Sequence, residues 1–230
     1  MPSFRSPYAT LPGSWEEYAA GRPRAVQRNV SYCRRRLERE GKLKLRMASN
    51  GDGVLEQAFA VAEASWQGVV ERSVASTPTL RRFYAELWEE AGRQGWRAGG
   101  VLEIGGEPAA FWYCLDYHDR VFLLKTGFNP AYRRYSPGVV LLAAVLEEAI
   151  RAGRKEADFL GNPEEYKLQW ATELREHGVW IAFSRSLPAR AVHLGRFVIR
   201  PALARAPGLR RLKRLARGLR GRRTGRGAQR

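Results

Sequence analysis

Between residues 100 and 160 the hydrophobic pattern changes period twice, and that change restricts the fold more than any other feature. Residues 100–104 and 109–115 read as two strands joined by Gly105-Gly106, and 121–126 as a third strand after a turn over 116–119. A Gly-Gly pair between two extended runs closes a tight hairpin, so these strands lie antiparallel. An apolar helix over 137–152 follows, and then a short buried strand at 157–160. A strand reached through a helix rejoins its sheet by a crossover. The segment therefore predicts an α/β (α+β) fold, a mixed sheet flanked by helices, that meanders first and crosses over later.

Helical signals dominate the first half. Ser14-Trp15-Glu16-Glu17 has the form of a capping box. Residues 26–40 predict a helix with a heavily basic face of Arg28, Arg34, Arg35, Arg36 and Arg39. Residues 42–47 alternate like a half-buried strand, and 54–66 return to helical spacing. Thr77-Pro78 starts a helix along which Leu80, Phe83, Tyr84, Leu87, Trp88 and Ala91 recur every three or four residues. Asn162-Pro163-Glu164-Glu165 opens another helix, and 179–184 predicts a final strand. The expected organisation is a helical N-terminal extension (1–50), a catalytic domain (51–187), basic amphipathic helices (188–220) and a disordered tail (221–230).

Charge is unevenly placed. The net is +17, but residues 188–230 hold 14 of the 40 Lys+Arg and none of the 23 Asp+Glu, which leaves the preceding 187 residues at only +3. Over 207–220, Leu209, Leu212, Leu215, Ala216 and Leu219 form one apolar stripe among arginines and a lysine. Such a helix suits an anionic membrane surface, and the same charge suits nucleic acid. No apolar run is long enough to span a membrane, and the N-terminus has no apolar signal-peptide core. Cys33 and Cys114 are far apart, as are His118, His177 and His193, so no disulfide framework or metal site is expected. The chain reads as cytoplasmic, with peripheral attachment at the inner membrane face.

The chemistry concentrates in 125–142, KTGFNPAYRRYSPGVVLL. Here Arg133 and Arg134 precede Ser136-Pro137-Gly138, and a helix begins. A helix start offers unpaired amide donors and a positive dipole end, which suits a phosphate, and Gly138 lets a ligand approach the backbone. A plain capped helix with surface arginines remains the other reading. Asp158, near a strand end, is a candidate base or amine anchor, or else a turn-capping carboxylate. Lys167 suits an anionic substrate group or solvent. Trp112 faces either cleft or core. Glu103 and Glu107 flank the Gly-Gly turn and are expected to face solvent.

Arg133-Arg134-Tyr135-Ser136-Pro137-Gly138 followed by an apolar helix resembles the acyl-CoA loop of the GNAT acyltransferase superfamily, with serine where the first glycine of the pattern stands. Pro12–Tyr18, Arg35–Gly41, Ala64–Trp66, Phe83-Tyr84, Tyr135–Gly138, Asp158–Gly161 and Tyr166-Lys167-x-x-Trp170 together resemble the CelD-type, Fem-like branch, which is associated with cellulose and exopolysaccharide synthesis. The resemblance implies acetyl-CoA or another acyl-CoA as co-substrate, bound by Arg133, Arg134, Ser136, Gly138 and Val139. It implies Tyr166 as the acid that protonates the departing thiolate, with Asp158 and Lys167 beside it. The implied acceptor is an amine or hydroxyl, with a sugar or polysaccharide precursor as one class, and a partner or second GNAT-like half is also implied. Two alternatives stay open: Fem-like aminoacyl transfer from aminoacyl-tRNA, and a non-catalytic module that binds membrane or RNA.

Overall fold

The computed structural model describes residues 3–48, 53–65, 74–75 and 77–200. The chain divides into two compact units, Pro2–Gly178 and a second made chiefly of Val179–Arg230.

The first unit is a mixed α/β body. In chain order it contains β1 (Ser3–Thr10), α1 (Trp15–Ala20), α2 (Arg24–Arg39), β2 (Leu43–Met47), α3 (Val54–Ala64), α4 (Pro78–Arg93), β3 (Arg97–Ile104), β4 (Glu107–Tyr117), β5 (Arg120–Phe128), a 3₁₀ turn (Pro130–Tyr135), α5 (Pro137–Arg151), β6 (Glu156–Asp158), α6 (Glu165–Leu168) and β7 (Glu173–Gly178). Seven strands form one sheet in the order β2-β3-β4-β5-β6-β1-β7. Every neighbouring pair is antiparallel except β5 and β6, which run parallel because α5 carries the chain back between them.

Two expected helix caps form, while the one expected at Asn162 does not, because that helix begins only at Glu165, with Glu164 before it and no side-chain cap bond. Ser14 accepts from the Glu17 amide and Thr77 from the Leu80 amide, each at 3.2 Å. Alternation along β4 splits the core between the two sheet faces. Ala110, Trp112 and Cys114 join α2 and α5, while Phe111 and Tyr113 join α3 and α4. Helix α2 turns Val26, Val30, Cys33 and Leu37 inward, and burial of each valine or leucine contributes about 1.5–3 kcal/mol. Gly99 adopts φ +90° where β3 crosses β4, and a Cβ there would collide with the Trp112 carbonyl.

Three expectations need correction. Residues 1–50 do not form an appended extension, because β1 and β2 are strands of the same sheet and β1 lies between β6 and β7. The final strand is at Glu173–Gly178, and residues 179–184 are irregular. Polar cross-strand pairs join β1 to β7 in place of apolar alternation: Tyr8 Oη donates to Glu173 at 2.7 Å, Arg5 pairs with Glu176, and Ser6 Oγ lies 2.6 Å from His177 Nε2. Glu103 is buried, bonded by Gln57 Nε2 at 2.7 Å and by Arg46 Nε. Burial raises its pKa, but those hydrogen bonds outweigh burial and leave it lowered.

The described part of the second unit holds α7 (Leu187–His193) and a π-helical turn (Leu194–Ile199). Phe183, His193 and Phe197 pack together with ring centroids 5.1–5.9 Å apart. The stripe over 207–220 and the tail 221–230 lie outside the described residues.

Candidate active site

Parallel strands β5 and β6 are paired only at Arg120/Glu156, Val121/Ala157 and Phe122/Asp158. Beyond that point β5 runs on to Phe128 without β6, because the chain turns away at Asp158. Its Oδ1 accepts from the Leu160 amide at 2.8 Å, and Leu160 and Gly161 both take left-handed φ values, 53° and 60°. Asp158 Oδ2 accepts from Arg175 at 3.1 Å, and Arg175 also donates to Glu156 at 2.6 and 3.0 Å. Both carboxylate oxygens thus hold the strand end. Asp158 is a buried anchor and is not among the side chains lining the opening beside it.

The parting leaves a cleft of about 140 Å³, lined by Trp112, Leu123–Thr126, Phe159–Gly161, Tyr166 and Lys167. Tyr166 is half-exposed there, at 42%. Burial of its hydroxyl, with the Glu164 carboxylate adding repulsion, pushes its pKa up to about 12, so the proton stays on through the neutral range. Lys167 does not point into solvent. Its Nζ donates to the Leu160 carbonyl at 3.0 Å and pairs with Glu164 at 3.2 Å, which fastens the 160–164 turn to α6. Helix α6 is only four residues long, so Trp170 does not share the cleft with Tyr166. It is buried in the core, where its carbonyl accepts from Tyr18 Oη and Arg22 Nη1.

Trp112 connects the cleft to the start of α5, and it answers the choice between cleft and core with both. It is 5% exposed, it lines the cleft, and its indole N–H donates to the Gly138 carbonyl at 3.1 Å. Ser136 sits in the left-handed region, φ 46° and ψ 50°, and its hydroxyl caps nothing. That conformation is strained for serine and unstrained for glycine, which accounts physically for glycine at this place in the superfamily pattern. The amides of Val139 and Val140 both return to the Ser136 carbonyl, at 3.0 and 3.1 Å. Pro137 has no N–H, so Gly138 supplies the first-turn amide without a bond among the described residues. A Cβ on Gly138 would meet nothing within 4 Å, so the space above the helix start is open.

The preceding turn is pinned to the end of α2. Tyr135 Oη donates to Glu40 at 3.0 Å, and the guanidiniums of Arg134 and Arg36 lie 4.7 and 4.8 Å from the Tyr135 ring. Hydrogen bonds from Lys42, Arg36 and Tyr135 lower the Glu40 pKa to about 2. Arg133 is exposed and makes no side-chain hydrogen bond or ion pair among the described residues. The expected site residues therefore separate into an open group (Arg133, Gly138, Tyr166) and a bracing group (Arg134, Ser136, Val139, Asp158, Lys167). The strand expected over 157–160 ends at Asp158, and Phe159–Gly161 line the cleft from a turn with left-handed Leu160 and Gly161.

The parted parallel pair β5 and β6, with the glycine-bearing start of α5 after β5, lies within a segment that matches the GNAT acetyltransferase family. The chain belongs to that family: the family described as Acetyltransferase (GNAT) domain matches residues 24–168. No curated protein sequence matches the chain. Among solved structures, FemX superposes with TM-score 0.57 at 11% identity, covering 74% of this chain and 59% of its own, and so shares the fold. The ribosomal-protein-S18-alanine N-acetyltransferase from Escherichia coli is 19% identical over 49% of this chain and 61% of its own, with TM-score 0.34. The L-PGS from Bacillus licheniformis is 12% identical over 86% of this chain and 66% of its own, with TM-score 0.46. The chain thus spans 59% of the length of FemX.

Proposed function

We propose that the chain transfers an acyl group from acyl-CoA to an amine or hydroxyl acceptor in the cleft between β5 and β6. The observation that carries this reading is the cleft itself, with a protonated tyrosine on one wall and Trp112 joining the other to the open start of α5. The Gly138 amide and Arg133 suit the CoA pyrophosphate, and the parted strands take the pantetheine arm and thioester. Holding donor and acceptor together replaces a bimolecular encounter and so lowers the entropic part of the barrier. The acceptor nitrogen or oxygen attacks the thioester carbon and the C–S bond breaks. Tyr166 passes its proton to the departing sulfur, and the proton lost by the acceptor restores the phenol, so CoA leaves as the thiol. Asp158 and Lys167 are positioning residues that keep the strand end and the cleft wall in place. A sugar or polysaccharide precursor as acceptor rests on the CelD-type resemblance.

The C-terminal unit supports a location at an anionic inner-membrane face. Trp180 is 83% and Leu187 79% exposed, and residues 179–230 carry no acidic side chain. Among the described residues no helix is long and apolar enough to cross a membrane.

Calorimetric titration of the full chain with acetyl-CoA tests the enzyme reading. Binding is expected for wild type and is expected to weaken in Arg133→Ala and vanish in Gly138→Trp, whose added Cβ meets nothing within 4 Å and whose folding circular dichroism checks. Equal binding by all three proteins, or none by folded wild type, would overturn the reading.

A further inference from the structure

Helix α2 carries a row of arginines that no carboxylate among the described residues pairs with. At about 100° per residue, Arg24, Arg28, Tyr32, Arg35 and Arg39 fall within about 80° of one another, opposite the buried Val26, Val30, Cys33 and Leu37. The arginines of this helix are of two kinds. Arg34 pairs with Glu38 and Glu147, and Arg36 with Glu40. Arg24, Arg28, Arg35 and Arg39 are exposed and form no ion pair among the described residues. Arg35 and Arg39 donate only to carbonyls of their own helix, those of Ser31 and Arg35. Tyr32 stands in the middle of the row at 54% exposure, and an open hollow lies beside it between Arg28 and Arg35.

We propose that this face of α2 binds single-stranded RNA through its phosphates, with Tyr32 stacking on a base. Arginine positions that rise about 6 and 10 Å along the helix axis suit a chain of phosphates, each taken by charge-assisted guanidinium bonds. An exposed phenol ring flanked by cations is the stacking platform that sequence-tolerant single-strand binding uses. A lipid surface fits this face poorly. Apart from Tyr32 its exposed residues are small or charged, so no apolar side chain is available to enter the acyl boundary. The proposal concerns a surface other than the acyl-transfer cleft and does not depend on the identity of the acyl donor.

Fluorescence anisotropy of a labelled oligouridylate with the full chain, read at several salt concentrations, tests it. Arg28→Gln/Arg35→Gln/Arg39→Gln is expected to bind at least about tenfold more weakly and to lower the salt slope by about two, three phosphate contacts at about 0.7 each. Tyr32→Ala is expected to bind about fivefold or more weakly at an unchanged slope. Circular dichroism verifies that both variants, altered only on the exposed face, are folded. Either variant binding within about twofold of wild type would overturn the proposal, as would equal affinity for a fully paired duplex. So would a triple-variant defect seen only with phosphatidylglycerol vesicles.

Discussion

Asp158→Asn and Asp158→Ala separate a catalytic base from a structural anchor. In the wild type one carboxylate oxygen accepts from the Leu160 amide at 2.8 Å and the other from Arg175 at 3.1 Å, and the side chain is 6% exposed. Asparagine keeps an oxygen for the Leu160 amide and loses the charge facing Arg175. A hydrogen bond to a charged group contributes about 1.5–3 kcal/mol. Arg175 is 29% exposed and retains two bonds to Glu156, so the loss falls toward the lower end, about 2 kcal/mol. Alanine also frees the Leu160 amide, for a total of about 3 kcal/mol. At about 2–4 °C per kcal/mol for a chain of this size, the unfolding midpoint drops about 6 °C in the asparagine variant and about 9 °C in the alanine variant. Thermal unfolding by circular dichroism measures both, with kcat for acyl transfer measured on the same samples at a temperature where each is folded. The anchor account expects Asp158→Asn to keep kcat within about tenfold of wild type. An unchanged midpoint together with a kcat loss of about 10²-fold or more would refute it and make Asp158 the general base.

The other predictions concern neighbouring parts of the same structure. Tyr166→Phe should lower kcat by about 10²–10⁴-fold with little change in stability. Because its hydroxyl titrates near 12, wild-type kcat should show no alkaline fall at about pH 10, where an ordinary tyrosine ionises. The lowered pKa of Glu40 gives a stabilisation fully present above about pH 4.5 and lost as pH falls through about 2. The gap in unfolding midpoint between wild type and Glu40→Gln should therefore close as pH falls over that window; a pH-independent gap would dissociate the Tyr135 contact from Glu40 ionisation. Trp180→Ser should reduce co-sedimentation with anionic vesicles and leave acetyl-CoA binding unchanged, and equal pelleting would remove Trp180 from any membrane contact.

Much of this architecture was legible where one physical signal acts alone. The Gly105-Gly106 hairpin, the Thr77 cap and the apolar α5 follow from local chemistry, and the structure matches them within a few residues. β1 and β7 were not legible, because SFRSPYAT and ELREHG have no apolar alternation. They pair through Tyr8–Glu173 and Arg5–Glu176, contacts 165 and 171 residues apart that no local window contains. Glu103 was misread for a related reason: Gln57 and Arg46 reach it from distant segments and make burial tolerable. In the site, residue types pointed to Arg133 and Gly138 and the GNAT resemblance to Tyr166, and the structure leaves all three accessible. The roles of Asp158 and Lys167 depend on the turn at Leu160, a left-handed residue that sequence pattern does not announce.

The central claim is that the acyl group lies between β5 and β6. An acyl-CoA bearing a photoreactive acyl chain, irradiated on the full protein and mapped by peptide mass spectrometry, tests this most directly. The account predicts adducts on Leu123–Thr126 and Phe159–Lys167 that disappear in excess acetyl-CoA and in Gly138→Trp. Adducts elsewhere, or labelling that persists in Gly138→Trp, would contradict it.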